Sequence, residues 1–470
     1  MIWPALCNGV PFFMADTTNY FRSFDALVYS ITQYQTMWSD VIQHTSVDHT
    51  QPVSTFHKNI ILGRSVYFGA LLYPAAFTGM IFIPVIFNAL LSGAVIIGIT
   101  RHFSDPAKDR KRFILFILAA IGIALITPLP YFVSFLMPDI YSGLAILAAV
   151  TLFWGWNQET TCWRLFWIAI MILAAVTHSS NILILLSIAS VCTVILILQR
   201  KQMAIWPIIL MVIASITGLA SEACFNSALK WQTQKNAIRP PFLSARVIAD
   251  GPGAAYLKTT CPDNGFALCS NFNNLKKEPY NSDILLWNHD PRKGFFISAT
   301  SQQQVAISEE QFDFVIAVTK QYPLWVLQTA FGNFADQLTK VGLEDFHGLS
   351  YKMQPASHHK IPEPLYTRIL NSATERGEMS AAFNAALIAP ITLLSLIVLL
   401  WAVATQPRLR TPIIIAASGV TINAMVCGIL SGPHERYQDR VIWVIPLIAT
   451  LAILKSYMTA ADMRRGPEDC

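Results

Sequence analysis

Apolar stretches recur from Val66 to Tyr457, many of them near the roughly 20 residues needed to cross about 30 Å of hydrocarbon. They predict spans near 79–99, 113–136, 140–155, 163–178, 181–199, 204–223, 381–404, 411–430 and 440–457. The connecting segments alternate in character. Those at 101–112, 199–202, 405–410 and 455–465 are short and carry lysines and arginines, whereas the others are charge-poor or large and chemically rich. This is the positive-inside signature, and it turns the basic segments toward the cytoplasm. The expected fold is an all-α polytopic membrane protein of about nine to ten transmembrane helices, with a small mixed soluble domain in a large outer loop. Three regions follow: 1–223 with a first outer loop at 15–64, an extracytoplasmic loop at 224–380, and C-terminal helices in 381–470.

The N-terminus departs from this scheme. Residues 1–14 are apolar but too short to span, and they lack the charged start and cleavage site of a signal peptide. We expect a first transmembrane helix that is truncated, or a half-span packed against its neighbours. The aromatic stretch 66–78, with Pro74 inside it, reads as interfacial or re-entrant. In the large loop, a helical spacing of apolar residues is visible near 308–340.

Composition narrows the class. Hydrophobic residues are 54% of the chain and charged residues 13%, which excludes an ordinary soluble protein. The net charge of +5 sits mostly in the inward segments, so it marks orientation and gives no reason to expect nucleic acid as a partner. The eight cysteines show no metal-ligand spacing, and no divalent metal or other cofactor is indicated. Cys261 and Cys269 both fall in the large loop, where an oxidising compartment permits a disulfide between them.

Candidate chemistry gathers in the outer segments. Asp16, in Asp16-Thr17-Thr18-Asn19-Tyr20-Phe21-Arg22, stands beside an apolar segment, where partial shielding makes a carboxylate a better proton acceptor; it also suits a helix cap. Arg64 at the start of the next apolar stretch can hold a phosphate, or it can snorkel to lipid headgroups. Asp139 after Pro138 adds a second interfacial carboxylate or simply starts a helix, and His178 lies in a tight outer turn. The densest group is His434-Glu435-Arg436-Tyr437-Gln438-Asp439-Arg440. A charge at the centre of a membrane helix costs about 2.5–3.5 kcal/mol on insertion scales, so this group belongs at the outer surface or in a polar cavity. Arg436 and Arg440 share one helical face and can hold a lipid phosphate together, or Glu435 and Asp439 can neutralise them as a structural network. Loop residues such as Arg246, Asp250, Tyr256, Asp263 and Asp336 are weaker candidates, and Glu309, Glu310 and Asp313 suit a helix N-terminus.

Taken together, these features resemble the GT-C superfamily of integral-membrane glycosyltransferases, in which a catalytic Asp follows the first span in an Asp-[Ser/Thr]-x-x-Tyr setting. Asp16-Thr17-Thr18-Asn19-Tyr20 matches that setting. The resemblance implies an inverting transfer of sugar from a polyprenyl-phosphate donor to a cell-surface glycan or lipid acceptor. The enzyme would sit in a bacterial inner membrane among its lipids, with the site facing the periplasm. It also implies Asp16 as general base, Arg64, Arg436 and Arg440 at the donor phosphate, and Tyr20, Asp139, His178, His434, Glu435 and Tyr437 near substrate. Asp25, nine residues from Asp16, forms no Asp-x-Asp pair of the kind that accompanies a metal. Two other functions fit the layout: a polysaccharide polymerase or ligase driven by loop arginines, and a transporter or flippase of lipid-linked glycans. The nearly charge-free spans and the absence of an internal repeat speak against transport.

Overall fold

A computed structural model of the protein describes residues 1–32, 60–61, 65–199, 204–233, 237–263, 265–275, 279–346 and 363–465. The chain opens with α1 (Trp3–Asn8), α2 (Ala15–Thr32), α3 (Val66–Thr78), α4 (Ile83–Phe103), α5 (Arg110–Leu125) and α6 (Leu129–Val133). Next come α7 (Ile140–Gly155), α8 (Thr161–Thr177), α9 (Ser180–Gln199) and α10 (Trp206–Thr233). The large loop forms α11 (Phe242–Ala249), α12 (Pro252–Thr260), α13 (Leu268–Phe272), α14 (Ser282–Trp287), α15 (Ser301–Glu309), α16 (Gln311–Gln321) and α17 (Pro323–Thr339). The chain closes with α18 (Glu363–Leu370), α19 (Ala382–Thr405), α20 (Arg410–Leu430), α21 (Glu435–Ile442) and α22 (Val444–Arg465). The only sheet among the described residues is a two-residue parallel pair, β1 (Ile60–Ile61) with β2 (Ala237–Ile238), so the large loop is helical and not mixed.

Six helical stretches among the described residues are long and apolar enough to cross a bilayer: Ile83–Phe103, Ser180–Gln199, Trp206–Ala228, Ala382–Thr405, Pro407–Leu430 and Glu435–Ala460. The chain is an integral membrane protein. Helices α3, α7 and α8 are apolar but shorter. The expected span 113–136 is not one helix: α5 ends at Leu125 and the chain restarts as α6. Pro128 and Pro130 explain the break, since proline removes a backbone donor and disfavours helix in the residue before it.

The short α7 is the centre of the bundle. Every residue in it except Trp154 is buried, and α4, α8, α9, α20 and α21 surround it. A helix apolar all round belongs in an interior, and one enclosed by protein need not match the full bilayer thickness. Gly143 makes this packing possible, because a Cβ there would stand 2.6 Å from the Trp443 ring. Gly143→Ala is therefore expected to destabilise the fold by about 1–3 kcal/mol through overpacking. Equilibrium unfolding in detergent checks this against Gly93→Ala, where nothing lies within 4 Å.

The first outer segment differs from its expected loop character. Residues Ala15–Thr32 form the amphipathic α2, which packs on α3 with Thr17, Tyr20, Phe21 and Asp25 buried. Gly69 lets the two helices touch at the Tyr20 carbonyl, and the Tyr73 hydroxyl donates to Asp25 Oδ1 at 2.8 Å. Ahead of α2, Phe12 exchanges backbone hydrogen bonds with Ser134 and Leu136 (2.9 and 3.0 Å), and Asn8 accepts from Ala373 at 3.0 Å. Residues 1–14 are thus packed against their neighbours.

The two ends of the bundle carry different chemistry. At one end Arg112 binds Asp462 through two hydrogen bonds of 2.6 and 2.5 Å, and the charges of Lys108, Arg408 and Arg112 face Lys455. Three of the basic segments therefore meet there. A buried Glu159 joins them, paired with His102 (2.8 Å) and accepting from Trp167 Nε1 (2.9 Å), and it pins α4 to the α7–α8 turn. Beyond the other end, α11–α16 enclose a second apolar cluster that includes Ile248, Leu257, Leu268, Phe295, Phe296 and Phe314. Cys261 and Cys269 form a disulfide beside it. From this cluster α17 returns to pack on α20, so closely that a Cβ on Gly428 would stand 2.6 Å from the Asn333 carbonyl.

Candidate functional site

Opposite the basic end, Pro138 turns the chain into α7 and leaves Asp139 at its N-cap position. The Asp139 side chain makes no capping bond. It is 1% exposed and faces two guanidiniums, Arg440 Nη1 at 3.4 Å and Arg436 Nε at 3.8 Å. These come from one face of α21, four residues apart, as a helix requires.

The two arginines live differently. Arg440 is fully buried, and its donors are spent: Nε and Nη2 reach Asn423 Oδ1 at 3.1 and 2.8 Å, and Nη2 also reaches Ser180 Oγ at 3.0 Å. Ser180 in turn shares a 2.8 Å hydrogen bond with His178 Nδ1. Asn423 is held by its own donation to the Tyr437 carbonyl. The backbone of Arg440 accepts from Trp443 Nε1 at 2.9 Å. This network closes on itself.

Arg436 is less satisfied. Its side chain is 11% exposed, its Nη1 points at the Met14 sulfur, a weak acceptor, and its Nε has no hydrogen-bond acceptor among the described residues. Asp139 Oδ2 is also without a hydrogen-bond partner there. Besides Asp139, the charges of Asp345 and Asp16 act on Arg436. The Tyr437 ring lies beneath both guanidiniums, 5.2 Å from Arg436 and 5.5 Å from Arg440.

Asp16 is half-buried in the first turn of α2, where the helix dipole favours a carboxylate. The neighbouring Thr17 hydroxyl accepts from the Met14 backbone and fixes the turn. The fold thus brings Asp16, Asp139, His178, Arg436, Arg440 and Tyr437 to one end of the bundle. It separates the others. Tyr20 is buried against Phe68 in the α2–α3 contact (ring centroids 5.1 Å apart). His434 is exposed and faces Asp283 at 3.6 Å. Glu435 accepts from the Glu344 backbone at 2.8 Å and fastens the segment after α17. Arg64 lies outside the described residues.

Several members were not anticipated from sequence. Asn423 and Ser180 build the cradle of Arg440, and Asp345 adds a third carboxylate beside Arg436. A lone Asn inside the apolar run of α20 was the available signal for the first, since polar groups within a membrane are expensive. Asp345 carried none. Asp439, fully buried, accepts from the Leu343 backbone at 2.9 Å and so holds the turn that delivers Asp345. Among the described residues, no three His, Cys, Asp or Glu side chains converge as a metal-binding set.

Two small clefts lie elsewhere on the described bundle, each with room for about one water. An apolar cleft lined by Ile126, Pro128, Ile388, Ile442, Trp443 and Pro446 lies between α5, α19 and α22. A second, more polar cleft includes Phe12, Phe13, Asp345 and Glu375. Comparison of the chain with protein-family models, with curated proteins and with solved structures finds no match.

Proposed function

We propose that this protein is an inverting membrane glycosyltransferase of the GT-C kind, using a polyprenyl-phosphate sugar on the extracytoplasmic side of the membrane. One observation carries the reading: Arg436 is a buried guanidinium whose Nε has no hydrogen-bond acceptor among the described residues, and the charge of Asp16, the residue expected from sequence to be the base, acts on it. A base and a phosphate-binding cation at the outer end of a membrane bundle are the two groups that such a transfer needs.

In this mechanism Asp16 removes the proton of an acceptor hydroxyl as its oxygen attacks the anomeric carbon. The bond from that carbon to the phosphate oxygen breaks, and the polyprenyl phosphate leaves with the electron pair. Arg436 meets the charge on the leaving phosphate. Arg440 and Asp139 hold Arg436 in place. Attack from the face opposite the phosphate inverts the anomeric configuration. The large loop forms a domain over the site, and α3, α7 and α8, with α5 and α6, complete a bundle of nine or so membrane helices.

The deciding experiment is mass spectrometry of surface glycans and lipid-linked sugars in a deletion strain, in that strain with wild type restored, and with Asp16→Asn at equal abundance. Loss of one sugar in both the deletion and Asp16→Asn strains is the expected outcome. A complete glycan with Asp16→Asn sinks the catalytic assignment. Shortened chains or accumulated lipid-linked units in the deletion strain instead favour a polymerase or a flippase.

Orientation has its own test. The disulfide and the basic end support an outward large loop. In sealed cells, an impermeant reductant followed by an impermeant maleimide is expected to label Cys261 and Cys269. Exposed Cys162, which starts α8 near the basic end, is expected to react only after permeabilisation. Labelling of Cys162 in sealed cells reverses the topology.

A further inference from the structure

Helix α17 is amphipathic in the reverse sense. Leu324, Leu327, Phe331 and Leu338 recur at helical spacing on one face. All four are exposed, the first three at 80%, 67% and 67%. Phe334 rests edge-on against Phe331, with ring centroids 6.1 Å apart. The face turned to the protein carries the amides instead. Asn333 Nδ2 donates to Asp250 Oδ2 at 2.9 Å. Gln337, fully buried, donates to the His434 carbonyl and accepts from the His434 backbone nitrogen, both at 2.9 Å. These bonds fix the roll of the helix, so its apolar side turns inward only if they break. The one ionisable residue of α17, Asp336, lies off the apolar face.

A surface tolerates scattered apolar side chains, whereas a contiguous apolar face marks something that covers it. The place of α17 says what covers this one. Asn333 and Gln337 meet Gly428 in the last turn of α20, where a Cβ would stand 2.6 Å from the Asn333 carbonyl and 2.9 Å from the Gln337 Cβ. That stretch of chain is long and apolar enough to cross the bilayer, and its exposed Met425 stands three residues before Gly428. The apolar face of α17 therefore adjoins the lipid-facing surface of the bundle, at the end opposite the basic segments. Tyr322 and Trp325, with ring centroids 5.9 Å apart, mark the start of α17. They are the residue types that gather where hydrocarbon meets headgroups. Trp325 is seated against Gly251, where a Cβ would stand 2.9 Å from the ring.

We propose that α17 is an interfacial membrane helix, with its Leu324, Leu327, Phe331 and Leu338 face immersed in the acyl region of the adjacent leaflet. The occupant of this face is lipid, and the large loop is seated on the bilayer through it. Interfacial helices of this kind bury their apolar side about 5–10 Å into the headgroup and acyl boundary. The inference stands on the bundle and the packing of α17, independently of the transfer chemistry.

Single cysteines in the full-length protein test it. Exposed Cys7, Cys162 and Cys224 are replaced by serine, while buried Cys192 and Cys427 and the disulfide are kept. Leu324→Cys, Leu327→Cys, Phe331→Cys and Leu338→Cys sample the apolar face, and Asp336→Cys is the control. Each carries an environment-sensitive fluorophore in nanodiscs of zwitterionic phospholipid, with or without a nitroxide high on the acyl chain. Aqueous iodide is the opposing quencher. The four apolar-face positions are expected to emit to the blue and to lose most of their intensity to the nitroxide lipid. Asp336→Cys is expected to be quenched mainly by iodide. Iodide quenching at all five positions, with none from the nitroxide, places the face in water and overturns the proposal. Blue emission that neither quencher reaches places the face under protein, a second copy where the particle mass doubles, and overturns it equally. Should one variant misfold, the remaining positions still report the helical period.

Discussion

Arg440→Ala is expected to destabilise the protein by about 3–5 kcal/mol, the cost of leaving a buried partner charge uncompensated. The side chain is fully buried and serves Asn423, Ser180 and Asp139 at once. Alanine leaves the Asp139 carboxylate with only Arg436 at 3.8 Å and opens a cavity against Cys427, which Arg440 Nη2 approaches at 3.2 Å. Lysine is no substitute, since one ammonium cannot reproduce the fork that engages Asn423 twice. Equilibrium unfolding in detergent reads the loss. Arg440→Met fills the space without a charge and leaves Asp139 paired with Arg436, so it is expected to be less unstable than Arg440→Ala. Arg440→Met as unstable as Arg440→Ala would show that the hydrogen bonds of the guanidinium, and not its volume, hold the network.

Asp16→Asn is expected to leave the fold intact and to reduce transfer by about 10²–10⁴-fold, the range of a general base. Amide and carboxylate have the same shape, and the Thr17 hydroxyl, which accepts from the Met14 backbone, is left in place to fix the turn. Rates of sugar transfer in membranes, set against protein abundance, measure it. Arg436→Lys keeps a positive charge but loses the planar donors, and its expected deficit is smaller, about 10²–10³-fold, as for removal of one transition-state donor. A variant at Asp16 that retains wild-type rates would place the carboxylate in the dipole of α2 and nowhere in the chemistry.

The long membrane helices are legible in the chain because apolar length alone decides them, as in α4, α9, α19 and α20. Helix α2 is not, for a physical reason. A hydropathy window sums apolarity, whereas α2 hides its apolar face in a 3.6-residue period, with Tyr20 and Phe24 turned toward α3 and Phe21 stacked on Phe13, beside the exposed Asn19. The break at Pro128 and Pro130 is local chemistry and was available in the sequence. In the candidate site, Asp16, Asp139, Arg436 and Arg440 stand out as charges beside apolar runs. What spacing does not disclose is that Arg440 is consumed by its cradle while Arg436 is not, because that difference depends on Asn423 and Ser180 arriving from other helices. Asp345 is placed by the turn that Asp439 and Glu435 hold, a purely tertiary arrangement.

Met14 and Arg436 touch although 422 residues separate them in the chain. At ribosomal rates of about 5–20 residues per second, the N-terminal part waits roughly 20–80 s for α21 to emerge. For most of that interval α7 lacks α20 and α21, two of the helices that enclose it, and Asp139 has neither guanidinium. A nascent chain halted before α20 therefore leaves the Asp139 carboxylate without its arginines at the head of a partly covered apolar helix. That is the kind of feature by which membrane quality control recognises an unfinished protein. Interrupted synthesis should accordingly yield fragments that are cleared before α20 and α21 can cover α7.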